Sequence, residues 1–73
     1  MARTLSPSTL AVWRFLEAYI DEIGYPPTLR EIAGGCFMSV AAVQRHLARL
    51  DERGVVEHGG GARTIKLVER PPL

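Results

Sequence analysis

The side chains best suited to chemistry in this chain are a glutamine and two arginines that lie close together. Gln44, Arg45 and Arg49 fall within one short segment. A glutamine amide can pair with the edge of adenine, and the planar guanidinium of arginine can pair with guanine or with phosphate. Arginine also supplies eight of the nine cations, although high-GC coding favours arginine as well. These residue types indicate a surface suited to nucleic acid.

Charge is distributed unevenly along the chain. The net charge of +1 does not by itself point to nucleic acid. Residues 1–38 hold three arginines against four carboxylates, whereas residues 39–68 hold five cations against three carboxylates. The glutamine and the two arginines therefore lie in the more cationic part of the chain.

The sequence offers little for catalysis or metal binding. Cys36 is the only cysteine, so no internal disulfide can form, and no Cys/His spacing suits a structural zinc. The serines fall at expected helix starts, and no nucleophile has an adjacent base. His46 is expected to be a partly buried packing residue and His58 a surface residue. We expect no enzymatic activity, no cofactor and no small-molecule substrate.

Length and composition limit the class of protein. A chain of 73 residues suits one small domain, expected to span residues 1–73 with a core over 5–68 and a short tail over 69–73. Apolar residues make up 47% of the chain and charged residues 23%, which fits neither a disordered tail nor a membrane protein. No apolar run typical of a signal peptide follows Arg3, so a cytoplasmic location is expected.

A first helix is expected to begin at Ser6 and to end at Gly24. Ser6 can cap the free amides, and Pro7 suits the first helical position. Glycine commonly ends a helix, and the two prolines at 26–27 force an extended connection. Five apolar residues share one face of this helix: Val12, Trp13, Leu16, Ile20 and Ile23.

Two more helices are expected downstream. Residues 28–31 form a capping box ahead of a short second helix, which is expected to weaken or end near the two glycines at 34–35. Ser39 can cap a third helix over about residues 40–53, and Gly54 stops it. Three apolar residues recur at helical spacing on its inner face: Val43, Leu47 and Leu50.

Two strands are expected after the third helix, over residues 55–58 and 64–68, joined by glycines at 59–61. Three helices followed by a hairpin, with a sharp connection between the second and third helices, form a winged helix-turn-helix. The predicted fold class is therefore mainly α with a small β-hairpin. The alternative is a generic three-helix domain with a packing hairpin.

Two segments of the sequence carry a family resemblance. One is GYPPTLREI at residues 24–32, and the other runs from HLARL at residues 46–50 through the glycine and two valines at 54–56. Together they resemble the amino-terminal DNA-binding domain of the LexA repressor family, over residues 5–68. The resemblance implies a sequence-specific transcriptional regulator that binds double-stranded DNA with its third helix in the major groove.

The sequence departs from this family's pattern in two ways. Phe37 occupies the position at which the generic motif has a glycine in the left-handed conformation, which is costly for a bulky residue. We expect a reshaped turn in which Gly35 supplies the positive φ angle. Only residues 69–73 follow the expected hairpin, so the family's dimerisation and self-cleavage are not carried over. A stand-alone DNA-binding domain is expected.

The residues expected to read DNA bases lie on the outer face of the third helix. Gln44 is assigned to adenine and Arg45 to guanine, and Val40 or Ala41 to a thymine methyl group. The same outer face also includes Ala48 and Arg49.

Phosphate contacts are expected at three further places. Thr28 and Ser39 begin helices whose free amides favour a phosphate oxygen, although capping alone explains both residues equally well. Arg63 lies near the tip of the hairpin and is assigned to the DNA backbone. The expected DNA-binding residues are Thr28, Ser39, Val40, Ala41, Gln44, Arg45, Arg49 and Arg63.

A second class of function also fits the sequence. A winged-helix module could dock on RNA polymerase or on a larger repressor, with an exposed Val40 and Ala41 as its apolar anchor. The nearly neutral charge and the missing dimerisation domain favour this alternative. If DNA is the partner, affinity is expected to depend on a second copy on the DNA or on a protein of the transcription machinery.

Overall fold

A computed structural model describes residues 5–59 and 64–69 of the chain. Its elements, in chain order, are α1 (Pro7–Ile23), α2 (Leu29–Cys36), α3 (Val40–Glu52), β1 (Val56–His58) and β2 (Ile65–Leu67). The two strands pair antiparallel, with Val56 opposite Leu67 and His58 opposite Ile65. This arrangement confirms the predicted mainly helical fold with a small hairpin, a winged helix-turn-helix.

Each helix begins at a side-chain cap that the sequence predicts. The Ser6 hydroxyl accepts the Thr9 amide at 3.2 Å, and Ser39 does the same for the Ala42 amide at 3.1 Å. Thr28 and Glu31 form the predicted reciprocal capping box. These bonds satisfy amides that a helix start otherwise leaves free, so the helix starts are fixed locally.

The core is formed where α3 packs against α1, α2 and β1. Buried apolar residues come from every element, namely Leu5, Val12, Trp13, Leu16, Ile32, Ala33, Val43, Leu47, Leu50, Val55, Val56 and Ile65. Ile23, the last residue of the predicted apolar face of α1, is 45% exposed. The buried positions of α1 end at Leu16, and the last turn of the helix lies beyond them.

The region between α2 and α3 corrects two expectations. Helix α2 continues through both glycines to Cys36, and Phe37, not Gly35, has the positive φ angle of 56°. Phe37 lies just after the helix, where a left-handed residue lets its own amide reach the Ala33 carbonyl. The Met38 amide bonds the same oxygen at 3.0 Å. The capping position therefore accounts for the left-handed conformation of Phe37.

Gly35 has a different role, which is to let α1 and α2 approach each other. A Cβ atom at this position would lie 2.0 Å from the ring of Phe15, whereas a Cβ atom on Gly34 would meet nothing within 4 Å. A side chain at 35 would therefore have to displace the Phe15 ring, whereas a side chain at 34 would displace nothing.

The hairpin is attached to the end of α3 through Val55. Its amide bonds the Leu50 carbonyl at 3.1 Å, and its carbonyl accepts the Val68 amide at 2.9 Å. Gly54, with φ of 73°, turns the chain between the helix and this residue. One residue thus bonds both the last turn of α3 and the chain that leaves β2.

Among the described residues, no helix combines the length and apolarity that crossing a membrane requires.

Candidate nucleic-acid interface

The two faces of α3 differ as the sequence predicts. Val43, Leu47 and Leu50 are fully buried on the inner face. The outer face exposes Ala41, Gln44, Arg45, Ala48 and Arg49. This face offers two cations, one amide and two small apolar side chains. These are the groups that major-groove readout uses.

Val40 does not belong fully to the exposed face, which corrects the expectation of a free apolar anchor. It is half-buried and packs against the core. Val40 lies three residues before Val43, and residues at this spacing share a side of a helix. The side chain of Val40 is therefore turned toward the core. Of Val40 and Ala41, only Ala41 is exposed.

The two cations of this face carry their charge in solvent. Arg45 and Arg49 are exposed, and neither forms an ion pair within the part of the chain that the structure describes. Their effect is visible on His46, whose pKa is lowered by burial first and then by the charges of Arg49 and Arg45. The outer face of α3 is thus electropositive and open to an anionic partner.

His46 joins α3 to the start of α1. Its Nδ1 lies 2.9 Å from the Oγ1 atom of Thr9, which in turn lies 2.9 Å from the Ser6 Oγ atom. Thr9 is only 1% exposed, and His46 is half-buried. The expectation that His46 is a partly buried packing residue is confirmed. Thr9 was missed by sequence reasoning, because a threonine three residues after a cap carries no signal of a long-range partner.

The lowered pKa of His46 predicts a dependence of stability on pH. The pKa of His46 is lower in the folded state than its ordinary value of 6.5, so the unfolded chain binds the proton more readily. The free energy of unfolding should therefore be constant above that ordinary value and should fall as pH falls through it toward the folded pKa. Chemical denaturation between about pH 8 and pH 5 measures the effect. The His46→Gln variant should lose this slope and His58→Gln should keep it; an equal slope in all three proteins would contradict the assignment.

Thr28 and Ser39 both act as helix caps in the structure. Thr28 is half-buried and held in its capping box, whereas Ser39 is exposed and caps α3. The capping interpretation is confirmed for both residues. Their assignment to phosphate stays a prediction, and Ser39 has the more accessible side chain.

The wing is described at its two strands. Lys66 and Glu57 are exposed opposite each other on the two strands, and His58 is half-buried, so it is not a free surface residue. Arg63 lies outside the described residues, so its assignment to phosphate stays a prediction.

An open depression of about 660 Å³ lies between the start of α1 and the end of α3. It is lined by Leu5, Ser6, Pro7, Thr9, Arg49, Glu52 and Arg53.

In the described ranges, no three or more histidine, cysteine or acidic side chains cluster as metal ligands would. Burial also raises the pKa of the Cys36 thiol, which keeps it protonated and weakly nucleophilic.

The domain has three helices in helix-turn-helix order, and a hairpin is bonded to the end of the third helix. The outer face of that third helix is electropositive. These features define a winged helix-turn-helix DNA-binding domain. Comparison with known families agrees with this class. The sequence model of the family described as "LexA DNA binding domain" matches residues 2–64. The chain belongs to this LexA DNA-binding domain family.

Curated relatives of the chain carry the name LexA repressor. The protein from Geobacter metallireducens is 41% identical over 66 residues, which cover 88% of this chain and 33% of the relative. The protein from Clostridium novyi is 32% identical over 73 residues, which cover 97% of this chain and 36% of the relative. The chain thus spans about a third of the length of these relatives. The names of these relatives describe repressors.

Proposed function

We propose that this protein regulates transcription by binding double-stranded DNA at specific sequences, with α3 in the major groove. The observation that carries the proposal is the outer face of α3, which exposes Gln44, Arg45 and Arg49 on a helix whose opposite side is fully buried. A helix held this rigidly can present its side chains to base edges in a fixed register. Membership of a DNA-binding family supports the same partner.

The polar residues of the outer face and the cap of α3 have distinct proposed roles. Gln44 pairs with adenine and Arg45 with guanine, because both can make two hydrogen bonds to one base edge. Arg49 lies one turn beyond Arg45, toward the end of α3, and contacts phosphate. Ser39 lies at the start of α3, where free amides and an exposed hydroxyl suit a phosphate oxygen.

A selection from a random duplex library tests this function. We expect enrichment of one sequence, and we expect its affinity to fall steeply with salt, since phosphate contacts release counterions. Weak salt dependence with no enriched sequence would instead favour docking on a transcription protein. One recognition helix and one wing bury only about 600–1,000 Å², so two copies on adjacent half-sites would raise the affinity. Such pairing would appear in the selected sequence as a repeated or palindromic motif.

Replacement of Arg45 by alanine is expected to change specificity as well as affinity. Loss of a two-bond contact to guanine should weaken binding to the selected sequence by about 1–3 kcal/mol and relax the preference at one base position. Fluorescence anisotropy with the selected duplex and its single-base variants measures both effects. The matched control is Arg14→Ala, which removes the same charge from an exposed position on α1. Equal weakening on every sequence would make Arg45 a phosphate contact.

A further inference from the structure

Phe37 is the most exposed large apolar residue that the structure describes. Its side chain is 95% exposed, compared with 50% for Tyr25 and 45% for Ile23. Its backbone has φ of 56° and ψ of 47°, in the left-handed region that disfavours a bulky side chain. The phenyl ring therefore contributes almost no packing to the free domain, while its presence strains the backbone.

Phe37 lies in the turn that leads into α3. It ends α2, and only Met38 separates it from Ser39, the cap of α3. No charged residue occurs from Ile32 to Gln44, a stretch that covers the turn and the first turn of α3. The segment that leads into α3 is thus uncharged, its exposed apolar side chains are Phe37 and Ala41, and the cations begin one turn later.

An apolar surface at the start of a recognition helix matches one feature of the major groove. Base edges there carry hydrogen-bonding groups, and thymine adds a C5-methyl group that apolar side chains can contact. Phosphates, by contrast, require donors or cations, which a phenyl ring lacks. The exposed ring is therefore suited to a base methyl group and not to the backbone.

We infer that Phe37 is a specificity-determining residue that packs against the C5-methyl group of a thymine in the bound site. This inference rests on the proposed function, because it requires α3 to lie in the major groove. Contact with the methyl group buries the ring and the methyl together and so adds a favourable apolar term that the free domain lacks. The phenyl ring then adds to affinity in the complex although it strains the free protein.

The test combines a protein variant with a DNA variant. Phe37→Gly and Phe37→Asn both relieve the left-handed strain and remove the ring, and Asn keeps a side chain. Each is measured against the selected duplex, with every thymine replaced in turn by uracil, which lacks only the methyl group. Val68→Ala is the control for loss of an exposed apolar side chain elsewhere. Synthetic duplexes contain no 5-methylcytosine, so any methyl effect in them comes from thymine.

Phe37→Gly is expected to melt at a higher temperature than the wild type and to bind the selected duplex about tenfold more weakly. One uracil substitution should weaken wild-type binding about fourfold, and this loss should disappear in both Phe37 variants. The methyl contact alone would be overturned if the Phe37 variants bound the selected duplex as tightly as the wild type. It would also be overturned if replacing Phe37 weakened binding equally on the thymine duplex and on every uracil duplex. A response that appears only when 5-methylcytosine is added would overturn thymine as its source. Failure to enrich any sequence would overturn the proposed function together with this inference.

Discussion

Replacement of Trp13 by alanine should unfold the domain or leave it only marginally folded. Trp13 lies on the inner face of α1 and is 2% exposed, within the core that also contains the buried residues of α3. Truncation of a buried aromatic side chain costs about 3–5 kcal/mol. Stabilities of about 0.05–0.15 kcal/mol per residue leave a domain this small with little reserve beyond that loss.

Thermal melting followed by circular dichroism measures the effect of Trp13→Ala. Tyr25→Ala is the control, because it removes an aromatic side chain that is half exposed and lies beyond the end of α1. Only a small shift of the melting temperature is expected for this control. A wild-type melting curve for Trp13→Ala would show that the packing of α1 differs from the structure described above.

The two adjacent glycines of α2 should respond to alanine with opposite signs. Gly34→Ala fills open space within a helix and should stabilise the domain by about 1 kcal/mol, the usual difference in helix propensity. Gly35→Ala places a Cβ atom against the Phe15 ring, which must move from its contact with Tyr19. Overpacking of this kind costs about 1–3 kcal/mol. The two variants should therefore differ by about 2–4 kcal/mol in free energy of unfolding.

Denaturant unfolding of both glycine variants measures this difference directly, with each serving as the control for the other. The double variant Phe15→Leu with Gly35→Ala should recover part of the lost stability, because leucine is shorter than the ring that the new methyl group meets. A destabilised Gly34→Ala, or a Gly35→Ala as stable as the wild type, would contradict the close approach of α1 and α2.

Local signals in the sequence predicted most of the element boundaries correctly. Ser6, Thr28 and Ser39 each have a hydroxyl that can reach an amide three residues on, so the capping pattern identifies each helix start without tertiary information. Gly24 ends α1 with φ of 97°, as its residue type predicts. The inner face of α3 also followed from the spacing of its apolar residues.

The errors came from positions where contacts between elements override local preference. By local preference Gly35 is a helix breaker or a flexible turn residue, but it lies inside α2, against the ring of Phe15, which is twenty residues earlier in the chain. Phe37 takes the left-handed conformation because the end of α2 falls there, although a glycine lies nearby. Val40 reads as part of the outer face until packing against the core is known.

The bonds of Val55 have a consequence for the geometry of binding. Because this residue is bonded to the end of α3 and to the chain that leaves β2, the base of the wing cannot swing independently of the recognition helix. In the proposed complex, the protein then sets the distance along the duplex between the bases that α3 contacts and the backbone that the wing reaches. A bound duplex would have to supply its base edges and its backbone at that distance. Any adjustment falls on the curvature and twist of the DNA, so flexible base steps between the two contacts would favour binding without being touched.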